Sequence, residues 1–558
     1  MSRTIPIGIS DFQKLRENGY YYVDKSMLIA DVINSGAEVT LLPRPRRFGK
    51  TINLSMLRYF FDSGGQDGTG LFNNLKISDH AQLMQHQGAY PTLFLTLKDV
   101  KYSTYEDFFR AMADIIGQLF LDHGELLVEA RPVGIEKRKV EAIRQGTAGN
   151  VDLQGALALL TKLLHRSTGQ KVIVLIDEYD APIHAGFLNG YYAEIIEFMR
   201  NFLSGAFKDN AHLQKGVVTG ILRVANESIF SGFNNPRVCT LLDEAFSHHF
   251  GFTETEMEKI LADFNLQHKQ AEVRDWYNGY RFGSQTIYNP WSIMQYVNEA
   301  ADSGKRPEAY WINTSDNHLI GDLITDQNAV QPEELKCLLA GGTVDKEIDT
   351  NIVLNRLQSK SVWSMLTLSG YLKVVSNRLD ADRVLHQLAI PNREVRSFFD
   401  GTVRDWLEDR VGGRGLDPLR DALLNEDMKL FGAHLAALVK GVLSFHDTAG
   451  AEPERVYHAF VLGMLVNLRG RYRVSSNRES GFGRYDLCLT PLDPNATGFI
   501  FEFKRSDELS PADTAKAALH QIVDRQYATE MRAAGIARIR AIGVAIDGKR
   551  AHVETRLL

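Results

Sequence analysis

Several features that would assign this 558-residue chain to a specialised class are missing. It has three cysteines, Cys239, Cys337 and Cys488, whose separation offers no metal-ligand spacing and no obvious disulfide framework. No run of about 18 apolar residues is present, so we expect no membrane span. Met1–Asp11 carries no basic stretch followed by an apolar one, so we expect no secretion signal. These absences favour a soluble protein of the reducing cytoplasm.

Internal repeats, low-complexity segments and a strong excess of one charge are also missing. The composition, 44% hydrophobic and 24% charged residues, is typical of globular proteins, and the length predicts two to four domains. The formal net charge of −6 gives no support to nucleic-acid binding. Its distribution does, because the last 105 residues contain 16 basic against 12 acidic side chains. The candidate phosphate-facing arginines there, opposed only by Glu479, are Arg469, Arg471, Arg473, Arg478 and Arg484. A solvated face of mixed charge is an equally good interpretation of that patch.

Residues 1–250 alternate short apolar segments with helical ones, which predicts an α/β domain with a parallel sheet covered on both faces. The strand candidates are Val39–Pro43, Thr92–Leu97, Val172–Asp177 and Gly216–Leu222.

Residues 251–395 form a mainly helical middle region that is rich in aromatic residues. A helix at Val362–Leu372, followed by strands at Lys373–Ser376 and Val384–Ala389 around a turn at Asn377–Asp382, suggests a winged-helix-like module. Residues 396–453 are predicted to be a helical connector, and residues 454–558 a second α/β domain.

A phosphate-binding loop is predicted at Arg44–Thr51, between an apolar strand and the helical stretch Ile52–Phe61. Backbone N–H groups at a helix start hold phosphates, a lysine reaches the terminal ones, and a threonine hydroxyl binds Mg²⁺. Arg44 occupies the place of the first glycine of the usual motif. The candidate nucleotide-binding residues of the loop are Arg46, Arg47, Phe48, Gly49, Lys50 and Thr51.

Two acids end the strand Val172–Asp177 and strengthen this interpretation. Asp177 is placed to hold Mg²⁺, together with Thr51, and Glu178 to orient and deprotonate the attacking water. Thr219, on the next strand, is a candidate sensor of the γ-phosphate. Arg223 either neutralises transition-state charge or forms a structural ion pair, and the pattern does not decide between them. Arg44, Arg46 and Arg47 are similarly open between phosphate, subunit-boundary and partner contacts.

Several segments in order resemble the bacterial AAA-ATPase-like family: Tyr22–Lys25, Arg44–Thr51, Leu175–Pro182, Ser228–Asn235, Trp276–Tyr280 and Tyr288–Trp291. In that family the RPRRFGKT form of the loop is usual, so the missing glycine fits. The resemblance covers nearly the whole chain. It implies an ATPase of the additional-strand class with a carboxy-terminal PD-(D/E)XK nuclease domain.

The carboxy-terminal domain independently suggests a nuclease. Asp486 lies on the strand candidate Arg484–Leu489, and a turn-rich segment leads to the strand Phe499–Lys504. Side chains alternate along a strand, so Glu502 and Lys504 share a face and a hairpin brings Asp486 to them. Two carboxylates can hold Mg²⁺ or Mn²⁺, and a lysine can orient the water or neutralise the scissile phosphate. A purely structural set remains the alternative.

Three further residues of this domain are less well determined. Glu454, at a helix start, is either another metal ligand or an acid favoured by the helix dipole. His458 is interpreted as a packing residue. Gln521 and Tyr527, placed on one helix, are similar to the Gln…Tyr element of RecB-like nucleases, but their spacing is wider than in that motif.

The favoured function is an ATP-regulated, metal-dependent nuclease with ATP and Mg²⁺ as cofactors and DNA preferred to RNA. A role in defence or mobile-element biology suits such coupling, although no residue argues for it. The alternative is a nucleotide-dependent signalling or assembly switch whose nuclease-like domain only binds nucleic acid or a partner. P-loop ATPases of this kind often assemble, which leaves a homo-oligomer open.

Overall fold

The computed structural model describes residues 4–64, 68–223, 236–303, 305–312, 318–325, 330–352, 359–411, 416–443, 452–506, 509–548 and 550–558. The chain divides into two compact units. Unit 1 comprises Met1–Ser315 and Asp345–Glu394, and unit 2 comprises Asp316–Val344 and Val395–Leu558. Within the described residues, no helix has the length and apolar character needed to cross a membrane.

Helices make up much of both units. Those of unit 1 are Phe12–Glu17, Met27–Asn34, Lys50–Phe61, Ala81–Met84, Tyr105–Asp122, Gly124–Glu129, Ile135–Arg144, Asn150–Gln154, Ala156–Thr168, Ala181–Leu188, Tyr192–Phe207, Glu254–Asp263, Gln270–Tyr277, Pro290–Ser303 and Ser359–Leu368. Those of unit 2 are His318–Thr325, Pro332–Leu339, Asp417–Leu424, Met428–Leu443, Glu452–Asn467, Pro511–Asp524 and Thr529–Ala533, and Arg393–Val411 begins at the last residues of unit 1. Short 3-10 helices lie at Thr69–Phe72, Lys76–Asp79 and Gln267–Lys269.

The first sheet of unit 1 is parallel throughout, as its apolar strands predict. Its strands are β1 Val39–Pro43, β2 Thr92–Thr96, β3 Val172–Asp177, β4 Leu213–Gly220 and β5 Arg237–Val238. They are ordered β2-β3-β4-β1-β5, so β4 lies between the phosphate-loop strand β1 and the acid-bearing strand β3. This inserted strand is the one that the additional-strand class implies. All the carboxyl ends meet at one edge.

Two predicted strand boundaries differ from the structure. The fourth strand was expected at Gly216–Leu222, but β4 begins at Leu213 and ends at Gly220. The buried Asp180 carboxylate accepts the backbone N–H groups of Ile221 and Leu222, at 2.8 and 2.9 Å, which removes them from the ladder. The strand predicted to reach Leu97 ends at Thr96.

The rest of unit 1 carries two small sheets. Strands β6 Phe252–Thr253, β7 Tyr280–Phe282 and β8 Gln285–Tyr288 form one, and β9 Val344–Glu347, β10 Lys373–Asp380 and β11 Arg383–Ala389 form the other. The helix expected at Val362–Leu372 spans Ser359–Leu368, because Gly370 has φ +92° and turns the chain. Strands β10 and β11 pair as far as Asp380 and Arg383, so the turn is shorter than predicted.

Unit 2 is built on a mixed sheet in which β12 is an edge strand. The strands are β12 Tyr472–Ser480, β13 Gly483–Pro491, β14 Gly498–Arg505, β15 Ile539–Asp547 and β16 Arg550–Leu557, in that order across the sheet. Only β14 and β15 are parallel, and the helix Pro511–Asp524 makes the crossover between them. Strand β14 is apolar on both faces up to Phe501, so a charged residue on it stands in the core of the unit.

Candidate functional site

The predicted phosphate loop starts a helix, as the sequence requires. Gly49 has φ +84° and ψ +19° and caps the helix Lys50–Phe61, a conformation that glycine adopts without steric cost. Lys50 is buried, and its Nζ donates to the backbone carbonyls of Arg44 (3.1 Å) and Pro45 (3.0 Å). Burial lowers the pKa of this ammonium, and the nearby Glu178 carboxylate partly opposes the shift. The lysine is thus held inside the curve of the loop.

Arg44 turns away from the loop, which explains how it replaces a glycine. It is fully buried, and its guanidinium donates to the carbonyls of Pro43 (2.8 Å) and Cys239 (2.6 Å). The same group stacks on Phe250 and Phe282, 5.1 and 5.4 Å from the ring centroids. Burial lowers its pKa to about 10. This role inside unit 1 is structural. It differs from the phosphate, subunit-boundary and partner contacts that the sequence left open for Arg44.

Asp177 and its two hydroxyl neighbours form a compact acidic centre at the ends of β3 and β4. Thr51 Oγ1 donates to Asp177 Oδ2 at 2.7 Å, and Thr219 Oγ1 donates to Oδ1 at 2.6 Å. Both Asp177 and Thr219 have no solvent exposure. Thr219 therefore supports the carboxylate from within the sheet, and its role as a sensor of the γ-phosphate stays a prediction.

Glu178 follows with a backbone that few non-glycine residues adopt. Its φ is +52°, in the left-handed region, and it is the first residue after β3. Such strain costs on the order of 1–3 kcal/mol and clusters at functional sites. The conformation turns Glu178 into the cavity beside Lys50, whereas Asp177 stays inside the sheet.

A cavity of about 520 Å³ lies beside these groups. Its polar lining comes from residues Arg46 to Asn53, from Glu178, and from Lys98 and Lys101. Its apolar lining includes Ile7 and Trp291. Arg47, at φ +66°, stacks its guanidinium on the Trp291 ring at 4.3 Å.

The remaining predicted residues of this site have different surroundings. The Arg46 carbonyl accepts a hydrogen bond from Trp311 Nε1 at 3.1 Å, which anchors the loop backbone. Phe48 is fully buried, and its packing against the rings of Tyr280 and Phe282 anchors the loop. Arg223 lies three residues after β4, and its carbonyl accepts from Ile352 N–H. Ser228–Asn235 lies outside the described residues.

In unit 2 the structure brings together the predicted acid pair and lysine. Asp486 on β13 accepts the backbone N–H of Phe503 on β14, with its Oδ2 at 2.7 Å. That hydrogen bond places the carboxylate between Glu502 and Lys504, on the adjacent strand. Tyr457, from the helix Glu452–Asn467, donates to the Asp486 carbonyl at 2.6 Å and fixes this part of β13.

Gln521 links Glu502 to Lys504 through hydrogen bonds. The sequence had left the role of Gln521 open. Lys504 Nζ donates to Gln521 Oε1 at 2.8 Å, and Gln521 Nε2 donates to Glu502 Oε1 and to the Tyr527 hydroxyl. Placing Gln521 and Tyr527 on one helix was wrong, because that helix ends at Asp524. Gln526 then adopts φ +52° and turns the chain back towards the site.

The two carboxylates have the electrostatics of a cation site. Burial, and secondarily the charge of Asp486, raises the pKa of Glu502 to about 8. Burial also raises the pKa of Asp486, which Phe503 N–H and Lys504 partly oppose. Glu502 is 5% exposed, and among the described residues its Oε2 has no hydrogen-bond partner. A buried orphan oxygen beside a second carboxylate fits a divalent metal ion, which binds oxygen ligands and offsets the repulsion.

Comparisons with known proteins match one segment in each unit. Residues 6–230 match the family described as "Predicted AAA-ATPase", and residues 452–556 match the PD-(D/E)XK nuclease superfamily. The first segment is thus similar to an AAA-ATPase-like domain and the second to a PD-(D/E)XK nuclease superfamily domain. The chain is also 26% identical, over 546 residues, to "Uncharacterized protein in vnfD 5'region" of Azotobacter chroococcum mcd 1. That alignment covers 96% of this chain and 95% of the relative, so the similarity extends across both domains.

A groove of about 400 Å³ lies beside the nuclease superfamily domain's edge strand β12. Helix Pro332–Leu339, which lies far outside the residues matched to that superfamily, forms its other wall and brings Lys336 within 5.0 Å of the Tyr457 ring centroid. Arg473 and Arg478 line the groove together with Ser475 and Ser476. Basic and hydroxyl side chains of this kind suit a phosphate backbone.

One member of the predicted arginine patch has an acidic partner that the sequence did not indicate. Arg469 forms an ion pair with Asp400 on the helix Arg393–Val411, a carboxylate that Arg396 also approaches at 3.6 Å, and the phosphate-facing role of Arg469 stays a prediction. The sequence could not show this opposing acid, because it is 69 residues away. Glu454 lies in the helix Glu452–Asn467, but its side chain, like that of His458, lies outside the described residues, and its metal-ligand role stays a prediction.

Proposed function

We propose that this chain hydrolyses ATP in its AAA-ATPase-like domain and cleaves nucleic-acid phosphodiesters in its nuclease superfamily domain. The observation that carries the second activity is the intact set of Asp486, Glu502 and Lys504, in which Gln521 links Glu502 to Lys504 and Phe503 N–H holds Asp486. A domain kept only for binding has no use for two buried carboxylates of raised pKa, because desolvating them costs free energy.

The ATP step follows from the first cavity. Phosphates would lie against the backbone at the start of the helix Lys50–Phe61, where N–H groups point outward. Lys50 would exchange its carbonyl contacts for the terminal phosphates. Thr51 and Asp177 are the residues that would hold Mg²⁺, and Glu178 would accept the proton of the attacking water. The apolar lining residues Ile7 and Trp291 are the candidates to contact the base and sugar.

The nuclease step uses the second centre. Asp486 and the orphan oxygen of Glu502 are the residues that would hold a divalent ion, Mg²⁺ or Mn²⁺. Such an ion, when bound, lowers the pKa of a coordinated water and stabilises charge on the phosphate. Lys504 is positioned to orient that water or to neutralise the scissile phosphate, because Gln521 fixes its Nζ. The basic groove beside β12 supports a nucleic-acid substrate, and we favour DNA.

The alternative is a nucleotide-dependent switch whose second domain binds without cutting. A cleavage panel separates the two: single- and double-stranded DNA and RNA, each with Mg²⁺ or Mn²⁺, and each without nucleotide, with ATP or with a non-hydrolysable analogue. We expect metal-dependent cleavage of at least one DNA substrate, with a rate that responds to ATP. Binding without cleavage under every condition would establish the switch, and equal rates with and without ATP would remove the regulatory part of the proposal.

A further inference from the structure

Two imidazoles and one carboxylate meet in unit 1, and neither proposed reaction uses them. They belong to Asp31, His248 and His249, and one ligand atom of each lies within 4.8 Å of the other two. Asp31 is on the helix Met27–Asn34, and the histidines come shortly before β6. The three side chains therefore join two segments that are more than 200 residues apart.

The framework around these groups fixes their positions. His249 is 2% exposed, and its Nε2 lies 2.6 Å from Asp31 Oδ2. Asn53, on the helix that starts the phosphate loop, donates to the His249 carbonyl at 2.9 Å, and Lys25 donates to the His248 carbonyl at 2.8 Å. Lys25 is itself paired with Glu256 at 2.6 Å, so its charge is balanced. The backbone of both histidines is thus held from two sides.

The contact between His249 and Asp31 is the closest in the group. Nε2 of His249 and Oδ2 of Asp31 are at hydrogen-bond distance, 2.6 Å. Coordination through Nε2 would replace this hydrogen bond and needs the imidazole tautomer with its proton on Nδ1, which leaves the ring uncharged.

The ligand chemistry selects the metal. Two nitrogens and one oxygen are preferred by Zn²⁺ and its neighbours in the first transition series, whereas Mg²⁺ prefers oxygen alone. Tetrahedral ligands at 2.0–2.2 Å from an ion lie roughly 3.4 Å from one another. Reaching that geometry requires His249 Nε2 and Asp31 Oδ2 to separate from 2.6 Å and the exposed ring of His248, whose centroid lies 4.0 Å from that of His249, to reorient.

We propose that Asp31, His248 and His249 form a binding site for a zinc-class dication, with water as the fourth ligand. The ion would tie the helix Met27–Asn34 to the segment before β6. His249 also lines the cavity assigned to ATP, so the ion would stabilise one wall of that cavity. The role is structural and does not depend on either proposed activity.

The test uses full-length Asp486→Ala protein, in which the nuclease centre is weakened as a competing metal site, stripped with a chelator and titrated with zinc chloride or magnesium chloride by calorimetry. We expect about one equivalent of zinc to bind and to raise the unfolding temperature by a few degrees. Magnesium should do neither.

Variants added to that background locate the binding. His248→Ala and Asp31→Asn should each weaken zinc binding at least tenfold, and His80→Ala, which removes another exposed histidine of unit 1, should leave it unchanged. His248 is exposed, so its removal should not impair folding and decides the matter if Asp31→Asn is unstable. No saturable zinc binding in the background protein, or unaltered binding in His248→Ala, would overturn the site.

Discussion

Each oxygen of the Asp177 carboxylate accepts a hydrogen bond from a threonine hydroxyl, whereas Glu502 in unit 2 keeps one buried oxygen without a partner among the described residues. The two centres thus treat negative charge differently. In unit 1 the Asp177 carboxylate is already hydrogen-bonded and Lys50 is held nearby, so nucleotide binding under the proposed function requires that Lys50 exchange its carbonyl contacts for phosphates. In unit 2 two buried carboxylates lie close together, and under the proposed function a cation would complete their surroundings.

The contrast predicts different costs of ligand binding at the two centres. In the ATPase-like centre, hydroxyl and carbonyl groups already hold Asp177 and Lys50 in place, and such preorganisation reduces the free-energy cost of binding a nucleotide. In the proposed nuclease centre an ion would offset the repulsion between the two carboxylates when both are ionised, so metal binding and catalysis should be lost together there. Five tests, each with one or two substitutions, examine this difference in order of decreasing expected effect.

Asp486→Ala should have the largest effect, a loss of cleavage of roughly a thousandfold or more, because a metal ligand that contributes several kcal/mol is removed. Metal affinity measured by calorimetry should fall with it, while ATP hydrolysis stays near the parent rate. Asp493→Ala, which alters an exposed turn acid, is the control. Cleavage that survives in folded Asp486→Ala protein would refute the nuclease assignment.

Lys50→Ala should weaken ATP binding by about 100-fold, the value of a charge-assisted contact to phosphate. Glu178→Gln should bind ATP normally and hydrolyse it much more slowly, because only the base is lost. Nucleotide binding by fluorescence and phosphate release measure the two effects separately. If Glu178→Gln turns over ATP as fast as the parent, Glu178 is not the base.

Gln521→Ala should lower kcat for cleavage by roughly 10- to 100-fold, the range for residues that orient a metal site through another ligand. KM should change little, because Gln521 positions Glu502 and Lys504 and does not itself face the substrate. The exposed neighbour His520→Ala is the matched control. A rise in KM without a fall in kcat would assign Gln521 to substrate binding instead.

Glu394 tests whether a raised carboxylate pKa alone marks a metal site. It is buried in unit 1, and its oxygens accept from Ser292 Oγ and from Trp311 N–H at 2.7 Å. Burial raises its pKa from 4.5 to about 7. The folded state therefore keeps a proton that the unfolded state loses, so its contribution to stability is full below pH 4.5 and declines as pH rises to 7.

Glu394→Gln should remove that decline, which amounts to at most about 3 kcal/mol, because glutamine keeps the acceptor and cannot ionise. Urea unfolding between pH 5 and pH 8 measures the slope. Magnesium should leave the difference between the slopes of the two proteins unchanged, because the proposed metal centre of unit 2 is present in both. An unchanged slope in Glu394→Gln would show that another group is responsible.

Arg473→Ala with Arg478→Ala should produce the smallest change, a weaker and less salt-dependent affinity for nucleic acid. Each lost phosphate contact lowers the slope of log K against log salt by roughly 0.9 for duplex DNA. Lys516→Ala, a basic change on the helix Pro511–Asp524, should leave the slope unchanged. An unaltered slope in the double variant would show that this groove does not face the substrate.

The sequence predicted the parts of the fold that depend on local pattern. Strands β1 and β3 agree with the prediction residue for residue, because uninterrupted apolar runs with sharp ends leave little choice. The convergence of Asp486, Glu502 and Lys504 followed from side-chain alternation on two paired strands. These features needed no information from distant residues.

Other features depend on contacts between distant segments or on backbone conformations that no residue type prescribes. Nothing near residues 316–344 indicates that they belong with unit 2. The helix that carries Gln521 ends at Asp524, and the chain then turns so that Tyr527 reaches the site. Helical spacing between Gln521 and Tyr527 could not predict this end. The left-handed backbone of Glu178 is contrary to its propensity, and the inward turn of Arg44 depends on rings and carbonyls supplied by later segments.

The divided sequence of unit 2 affects how the protein is made on the ribosome. Helix Pro332–Leu339 buries Leu335, Leu338 and Leu339, and it packs against the helix Glu452–Asn467, which is synthesised more than 100 residues later. At 5–20 residues per second, its apolar face waits roughly 6–20 s for that partner. During translation this segment would therefore be a natural substrate for a chaperone, and pulse proteolysis of stalled nascent chains should find it protected only after the helix Glu452–Asn467 has emerged.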